Sequence, residues 1–406
     1  MEEMTKTAGA SALSPARRRI CVALLVVLGF SLGCSEFAVI GVEQEIADAY
    51  DVTLAEAGQL ISFFAMTYAF LTPLLTLATG RFKRFHLVVA YSAVFCVANL
   101  VQSLAPTFDI LLASRVLIGA VSGTFLGVGI TFIPELVDPK RTSAMISVVY
   151  AAFSVAMVVA TSVGKALAAL SDWRIIMWAA LALALVTCVT LVALLPREGA
   201  TDEPATAGEQ VRLLFEPQVM TGIAIFVFGV GSIYVFYGYV TPYLETVLGM
   251  SPLAASATLM AYGAGTFASN LLSGWVDSRF GIRALCVTFP MLSVVLLTLW
   301  LAGSSQPLGL ACVMAISLLM YIASVPCISM FMNTAIRKHP KALTLASSLE
   351  ATAFNIGIAF GTAVGGVIVS DLGLANVGAV GAVFALVALG LVLLTIPLER
   401  RSRAEA

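Results

Sequence analysis

The sequence predicts an all-α membrane protein, with twelve transmembrane helices in two pseudo-symmetric bundles of six. Three observations predict it. Of the 406 residues, 60% are hydrophobic and only 11% charged, against roughly a quarter charged in an average soluble domain. Apolar runs of about 20 residues, enough at ~1.5 Å per residue to cross a hydrocarbon core of roughly 30 Å, recur twelve times along the chain. The second six runs repeat features of the first at a shift of about 195 residues, as in transporters built from repeated halves.

Span one, Ile20–Val42, follows Arg17–Arg19 and contains Glu36, with Gly29 and Gly33 leading to the acid at helical spacing. Thr53-Leu-Ala-Glu56 is a capping box that opens span two, Gly58–Thr79. Spans three to six run Leu87–Leu104, Ile110–Ile133 with Arg115 inside, Ser143–Leu170 with Lys165 inside, and Ile175–Leu195. The stretch Pro196 to Gln218, rich in Glu, Ala, Pro and Gly, reads as a linker. Span seven, Val219–Leu244, is dense in aromatic residues. Ser251-Pro252 places an N-cap and an N1 proline before span eight, Ala254–Val276, matching Thr53 in the first half. Spans nine to twelve are Ala284–Ala302, Leu308–Ile336, Leu343–Val369 with Glu350 inside, and Val377–Pro397.

Nineteen of the 22 Lys and Arg residues fall in alternate connections, so the positive-inside rule puts both termini in the cytoplasm. The expected organisation is a cytoplasmic tail 1–19, bundles 20–195 and 219–397 joined by a linker 196–218, and a tail 398–406. The basic cluster could also begin a signal peptide, but a signal h-region is shorter than this run and has no use for Glu36.

An ionisable group at membrane depth costs several kcal/mol and usually works in a wet or protein-lined interior. Glu36 lies about 24 Å beyond Ile20, and Arg115 about 9 Å below Asp109 on a helix running the other way. One acid and two bases, with Lys165, thus reach one layer of the first half. Glu36 and Arg115 read either as a static pair locking two helices or as a proton-coupling unit. Lys165 either snorkels or takes part in the site. Glu350 sits near the midplane, about 14 Å in, with no basic residue of its own half at that depth.

Other functions have little support. The seven cysteines all lie in apolar runs without a CxxC pair and read as small core residues, leaving no metal site or disulfide expected. Gly164-Lys165 lacks the first glycine and the Ser/Thr of a P-loop. Two histidines, His86 and His339, stand at span ends. The expectation is therefore no enzyme, no cofactor and no nucleic acid; the partners are a small-molecule substrate, protons and the lipid bilayer, and the protein is a monomer.

Ser35-Glu36-Phe37 leading to Gly41, Arg115-Val-Leu-Ile-Gly119, Asp172-Trp173-Arg174, Tyr239-Val-Thr-Pro242 and Phe354-Asn355-Ile-Gly357 resemble the major facilitator superfamily over the whole chain. They are most similar to its bacterial drug and sugar efflux branch of proton antiporters. The resemblance implies proton coupling at Glu36 and Arg115; Glu350, by its depth in span eleven, is expected to be a second titrating or substrate-contacting acid. Candidate substrate contacts are Lys165, Phe37, Tyr237, Tyr239 and Asn355. It implies a gating loop at Arg81 and Arg84, repeated at Asp277 and Arg279, although Thr76, Gly80 and Lys83 depart from the G-x-x-x-D-R-x-G-R pattern and Asp277 stands one place early. Lys165, where an uncharged residue is usual, would favour an anionic substrate group or neutralise Glu36. The function expected is proton-coupled efflux of a small organic solute across the bacterial inner membrane. The alternatives are a facilitator or importer of the same fold, or a non-transporting assembly or sensor protein.

Overall fold

The computed structural model describes residues 14–79, 82–197, 212–339 and 342–404, and among these the chain is helical with no strand. Spans one to six are Pro15–Phe37, Leu54–Thr79, Arg84–Leu104, Phe108–Ile130, Pro139–Leu170 and Arg174–Leu194. Spans seven to nine are Pro217–Tyr237, Pro252–Phe280 and Leu285–Ala302. Span ten is Gln306–Leu319 with Ser324–Lys338, and spans eleven and twelve are Leu343–Asp371 and Val377–Ala404. Eleven apolar segments are long enough to cross a membrane, but one, Pro252–Ala302, has 51 residues. At ~1.5 Å per residue that is more than twice a bilayer core, and Gly281, at φ +55°, turns the chain between spans eight and nine. Twelve crossings result.

Several span bounds differ from the sequence expectation, span twelve among them, which runs on to Ala404; three of the differences have a local reason. Span one begins at Pro15 instead of Ile20, because the Ser14 hydroxyl accepts from the Arg17 amide at 3.3 Å and proline occupies the first helical position. The arginines are thus on the helix, and the Arg17 Nε donates to the Leu194 carbonyl, at the end of span six, at 3.0 Å. Span seven stops at Tyr237, seven residues short of Leu244, and continues as a short turn, Val240–Pro242, and a wide one, Tyr243–Val247. Span ten is broken between Leu319 and Ser324. Pro326 has no N–H to give to the Ile322 carbonyl, and its ring crowds that oxygen; the Ser273 hydroxyl of span eight donates to it instead, at 3.1 Å.

The chain divides into two compact units, Met1–Gly41 with Phe70–Pro204, and Val42–Ala69 with Ala205–Ala406. The expected bundle 20–195 thus gives up Val42–Ala69 to the other unit: Gly58 and Ala55 pack against the Tyr239 ring and Gly366, respectively. Within the first unit span one packs on five and six, and span three on four and six. Within the second, span seven packs on eleven and twelve, and span nine on ten and twelve. The same four pairings recur six spans later, which is the repeat expected from the sequence.

Close backbone approach makes the principal pairing in each unit. A Cβ at Gly33 would stand 2.9 Å from the Phe153 carbonyl of span five, and one at Gly361 would stand 2.6 Å from the Gly231 carbonyl of span seven. In lipid, where no hydrophobic force brings helices together, small residues that admit this approach supply the van der Waals contact.

Candidate functional site

Span one ends within the apolar part of the chain, so its last carbonyls need donors from elsewhere. After Phe37 the chain tightens into a 3₁₀ turn, Ala38–Gly41. Arg115, fully buried on span four, donates Nη1 to the Ser35 carbonyl and Nη2 to the Glu36 carbonyl, the latter at 2.7 Å. A forked guanidinium suits two adjacent carbonyls, and its charge suits a helix C-terminus. Span three contributes too: the Ser35 hydroxyl donates to Asn99 Oδ1 at 2.9 Å, while Asn99 Nδ2 donates to the Phe95 carbonyl.

The Glu36 carboxylate belongs to this same turn. Its side chain is 5% exposed, and Oε2 is buried without a hydrogen-bond partner among the described residues. The Arg115 charge acts on it, yet the two bonds described above go to backbone carbonyls. Arg115 therefore does two things: it caps the helix and faces the acid with positive charge.

Span five forms the other wall. Gly29, Gly33 and Gly41 dock along it at Val149, Phe153 and Thr161, and the Phe37 ring meets Phe153 edge-on at 5.7 Å. Lys165 lies one turn beyond Thr161 with its amide nitrogen 3.3 Å from where a Gly41 Cβ would be, and it is 1% exposed. Glu36, Phe37, Arg115 and the start of Lys165 are thus gathered at the end of span one. Asn99, which the sequence reading did not single out, helps hold the turn.

In the second unit the interrupted helix is span ten. Ser269 Oγ accepts from the Tyr321 amide at 2.9 Å, and Ser273 Oγ accepts from the Val325 amide at 3.1 Å, so span eight satisfies backbone that the break releases. A continuous aromatic ladder crosses this region. Tyr262 stacks on Tyr237 at 4.9 Å, Tyr237 meets Tyr234 at 5.4 Å, Tyr234 meets Phe354 at 6.1 Å, and Phe354 stacks on Tyr321. Tyr237 is therefore part of the ladder. Tyr239 is not: its hydroxyl donates to the Thr362 carbonyl at 3.0 Å, and its ring packs on Gly365 and Gly366. Asn355 is buried, with Nδ2 bonded to the Ala351 carbonyl and Oδ1 without a partner among the described residues. Glu350, half-buried, lies beside Ser324.

Of the expected gating residues, Arg81 lies outside the described residues. Arg84 pairs with Glu135 and donates to the Thr131 carbonyl at 2.7 Å, tying span three to the end of span four. Asp277 accepts from the Ser329 hydroxyl at 2.6 Å, joining spans eight and ten, while Arg279 stands over the Trp275 ring. A further clasp holds the start of span seven: Glu216 accepts from Lys338 at 2.8 Å and meets His339 at 3.0 Å. Burial pushes the Glu216 carboxyl up, but the hydrogen bonds and charges of Lys338 and His339 outweigh it and leave the group below its ordinary value. A depressed carboxyl stabilises the fold above its unfolded pKa, 4.5, and loses that contribution as pH falls through the folded value. Glu216→Gln is expected to lower stability by under about 1 kcal/mol at pH 7 and not at all near pH 3, read as the melting temperature of the detergent-solubilised protein at both pH values.

A profile of the Major Facilitator Superfamily matches residues 24–347. Curated relatives include YtbD of Bacillus subtilis, an uncharacterized MFS-type transporter, 28% identical over 94% of this chain and 96% of its own. The inner membrane transport protein YdhP of Escherichia coli K12 is also 28% identical, over the same shares. Among solved structures, a bacterial homolog of the human lysosomal transporter Spinster superposes with a TM-score of 0.74 at 18% identity, over 96% of this chain and 99% of that one. A D-xylose–proton symporter does so with a TM-score of 0.70 at 16% identity, over 91% and 96%. With twelve spans, four pairings repeated in two units and a matching profile over most of its length, this chain belongs to the Major Facilitator Superfamily of membrane transporters.

Proposed function

We propose that the protein exports a small organic solute across the bacterial inner membrane in exchange for protons, by alternating access of two six-span bundles. The observation that carries this reading is the Glu36 carboxylate, buried in a turn whose backbone Arg115 already holds, with one oxygen unsatisfied. An acid so placed is free to exchange a proton without dismantling its helix. Inward movement of each proton supplies about 2.3 kcal/mol per 100 mV of membrane potential. Lys165 balances charge at the same end of span one; Phe37, Tyr237 and Asn355 contact the solute, and Glu350 is the second acid. Relatives named as inner membrane proteins support the location, and the basic connections support cytoplasmic termini. Inverted membrane vesicles energised by respiration test it: solute accumulation should collapse when a protonophore is added. Accumulation that survives the protonophore, or uptake only in right-side-out vesicles, would reject antiport in favour of another mode of the same fold.

A further inference from the structure

Near its end, span three carries three polar side chains inside the first unit. Asn99, Gln102 and Ser103 are each at most 2% exposed, and their spacing sets them on one helix face. The inner end of this row is tied to span one, where the Ser35 hydroxyl, next in sequence to Glu36, donates to Asn99 Oδ1 at 2.9 Å. The Ser103 hydroxyl donates to the Asn99 carbonyl, also at 2.9 Å. The outer end is tied to span six, where Gln102 Nε2 donates to the Met177 sulfur at 3.0 Å. Pro106 and Thr107, which follow directly after the helix, are exposed. The row thus runs from close to the surface to the residue beside Glu36, and under the orientation proposed above that surface is the external one.

The row is polar beyond what holding the helices requires. Gln102 Oε1 is buried without a hydrogen-bond partner among the described residues, and so is Ser31 Oγ, one turn before Ser35 on span one. The one bond described for the Gln102 amide goes to a thioether, a weak acceptor. A buried amide oxygen left in this state, with hydroxyls close by, is the usual seat of an internal water. Hydroxyls and water both accept and donate, so Ser35 and Ser103 are able to relay a proton, while the two amides hold the relay in place.

We propose that water bound at Gln102, between spans three and six, forms with Ser103, Asn99 and Ser35 a path that carries protons from the outer surface to Glu36. Each water or hydroxyl accepts a proton on one side and releases another on the other, and the Glu36 carboxylate takes up the last. The proposal rests on the antiport reading and gives its proton an entrance within the first unit.

Two measurements on the purified full chain in lipid nanodiscs, with no solute added, test it. In the first, a brief X-ray pulse makes hydroxyl radicals from bound and bulk water, and mass spectrometry locates the oxidised methionines. Met177 and Met157 are both 0% exposed, so bulk radicals reach neither. Met177 should be oxidised about fivefold faster than Met157, and Gln102→Leu should remove the difference. The second follows the Glu36 proton after transfer into heavy water at a pH that protonates the acid. Its infrared carbonyl band is the one lost in Glu36→Gln. Gln102→Leu should slow exchange of that band about tenfold, Ser103→Ala about threefold, and Gln102→Asn should restore part of the rate. A purely structural role would lower the melting temperature and move neither readout. Equal oxidation of Met177 and Met157 in the wild type, or wild-type exchange in Gln102→Leu, overturns the path. Should Gln102→Leu fail to fold, wild-type exchange in Ser103→Ala overturns it equally. Neither measurement uses a gradient. Unchanged exchange with intact uphill transport therefore sinks only the proton path, and slowed exchange in a protein that never pumps against a gradient sinks only the antiport reading.

Discussion

Replacing Glu36 with glutamine is expected to abolish uphill transport while leaving downhill exchange of the solute intact. Glutamine keeps the volume and one oxygen of the side chain but cannot pick up and release a proton at physiological pH. The turn should survive the change, because Arg115 binds the backbone carbonyls of Ser35 and Glu36 and span three holds Ser35 through Asn99. With one proton exchanged per uncharged solute molecule, 100 mV sustains a solute gradient of roughly fifty-fold; in the variant the ratio should relax to one. Reconstituted proteoliposomes under an imposed pH gradient and potential, followed by counterflow in the same vesicles, measure both quantities. Wild-type accumulation by Glu36→Gln would remove this acid from the coupling step, and Glu350 would be next to examine.

Arg115→Ala should be worse, because it attacks the fold as well as the cycle. It strips two carbonyls of charge-assisted bonds worth about 1.5–3 kcal/mol each and leaves the end of span one unsatisfied where no water is at hand. It also removes the positive charge acting on Glu36. The expected result is a large fall in monodisperse protein after extraction and a lowered melting temperature. Arg115→Lys should recover only part, since one ammonium cannot match the fork that spans two adjacent carbonyls. A fully stable Arg115→Ala protein that merely loses coupling would show that the cap contributes little.

Glu36, Arg115 and Glu350 stand out in the sequence because charge inside an apolar run is costly and therefore rare. Counting helix rises was enough to place the first two at one level, and the structure puts them in adjacent spans. The manner of their meeting was hidden: whether an arginine takes a carboxylate or the carbonyls beside it depends on where a helix unwinds, and Ala38–Gly41 looks in sequence like a continuation of span one. Asn99 was hidden for a similar reason, since one amide in a long apolar run is tolerated in many helices. The break in span ten carried a faint signal in Pro326. Yet Pro73 and Pro290 lie within unbroken helices, so proline alone does not decide. At Pro326 the neighbouring span eight supplies two serines to the released backbone, which the sequence of span ten alone does not show. Aromatic density also does not reveal which hydroxyl is already committed to a carbonyl, as that of Tyr239 is.

The break in span ten also constrains how the chain is made. Gln306–Leu319 has 14 residues, about 21 Å of helix, and falls short of the roughly 30 Å core that a segment must cross. It cannot settle in the bilayer as an independent span, and the second piece ends in Arg337 and Lys338. The loose amides of Tyr321 and Val325 have their acceptors on Ser269 and Ser273, which the ribosome has already delivered when span ten emerges. Span ten thus depends on span eight for the partners of its broken backbone, and a chain lacking those two hydroxyls is expected to be less stable in the membrane.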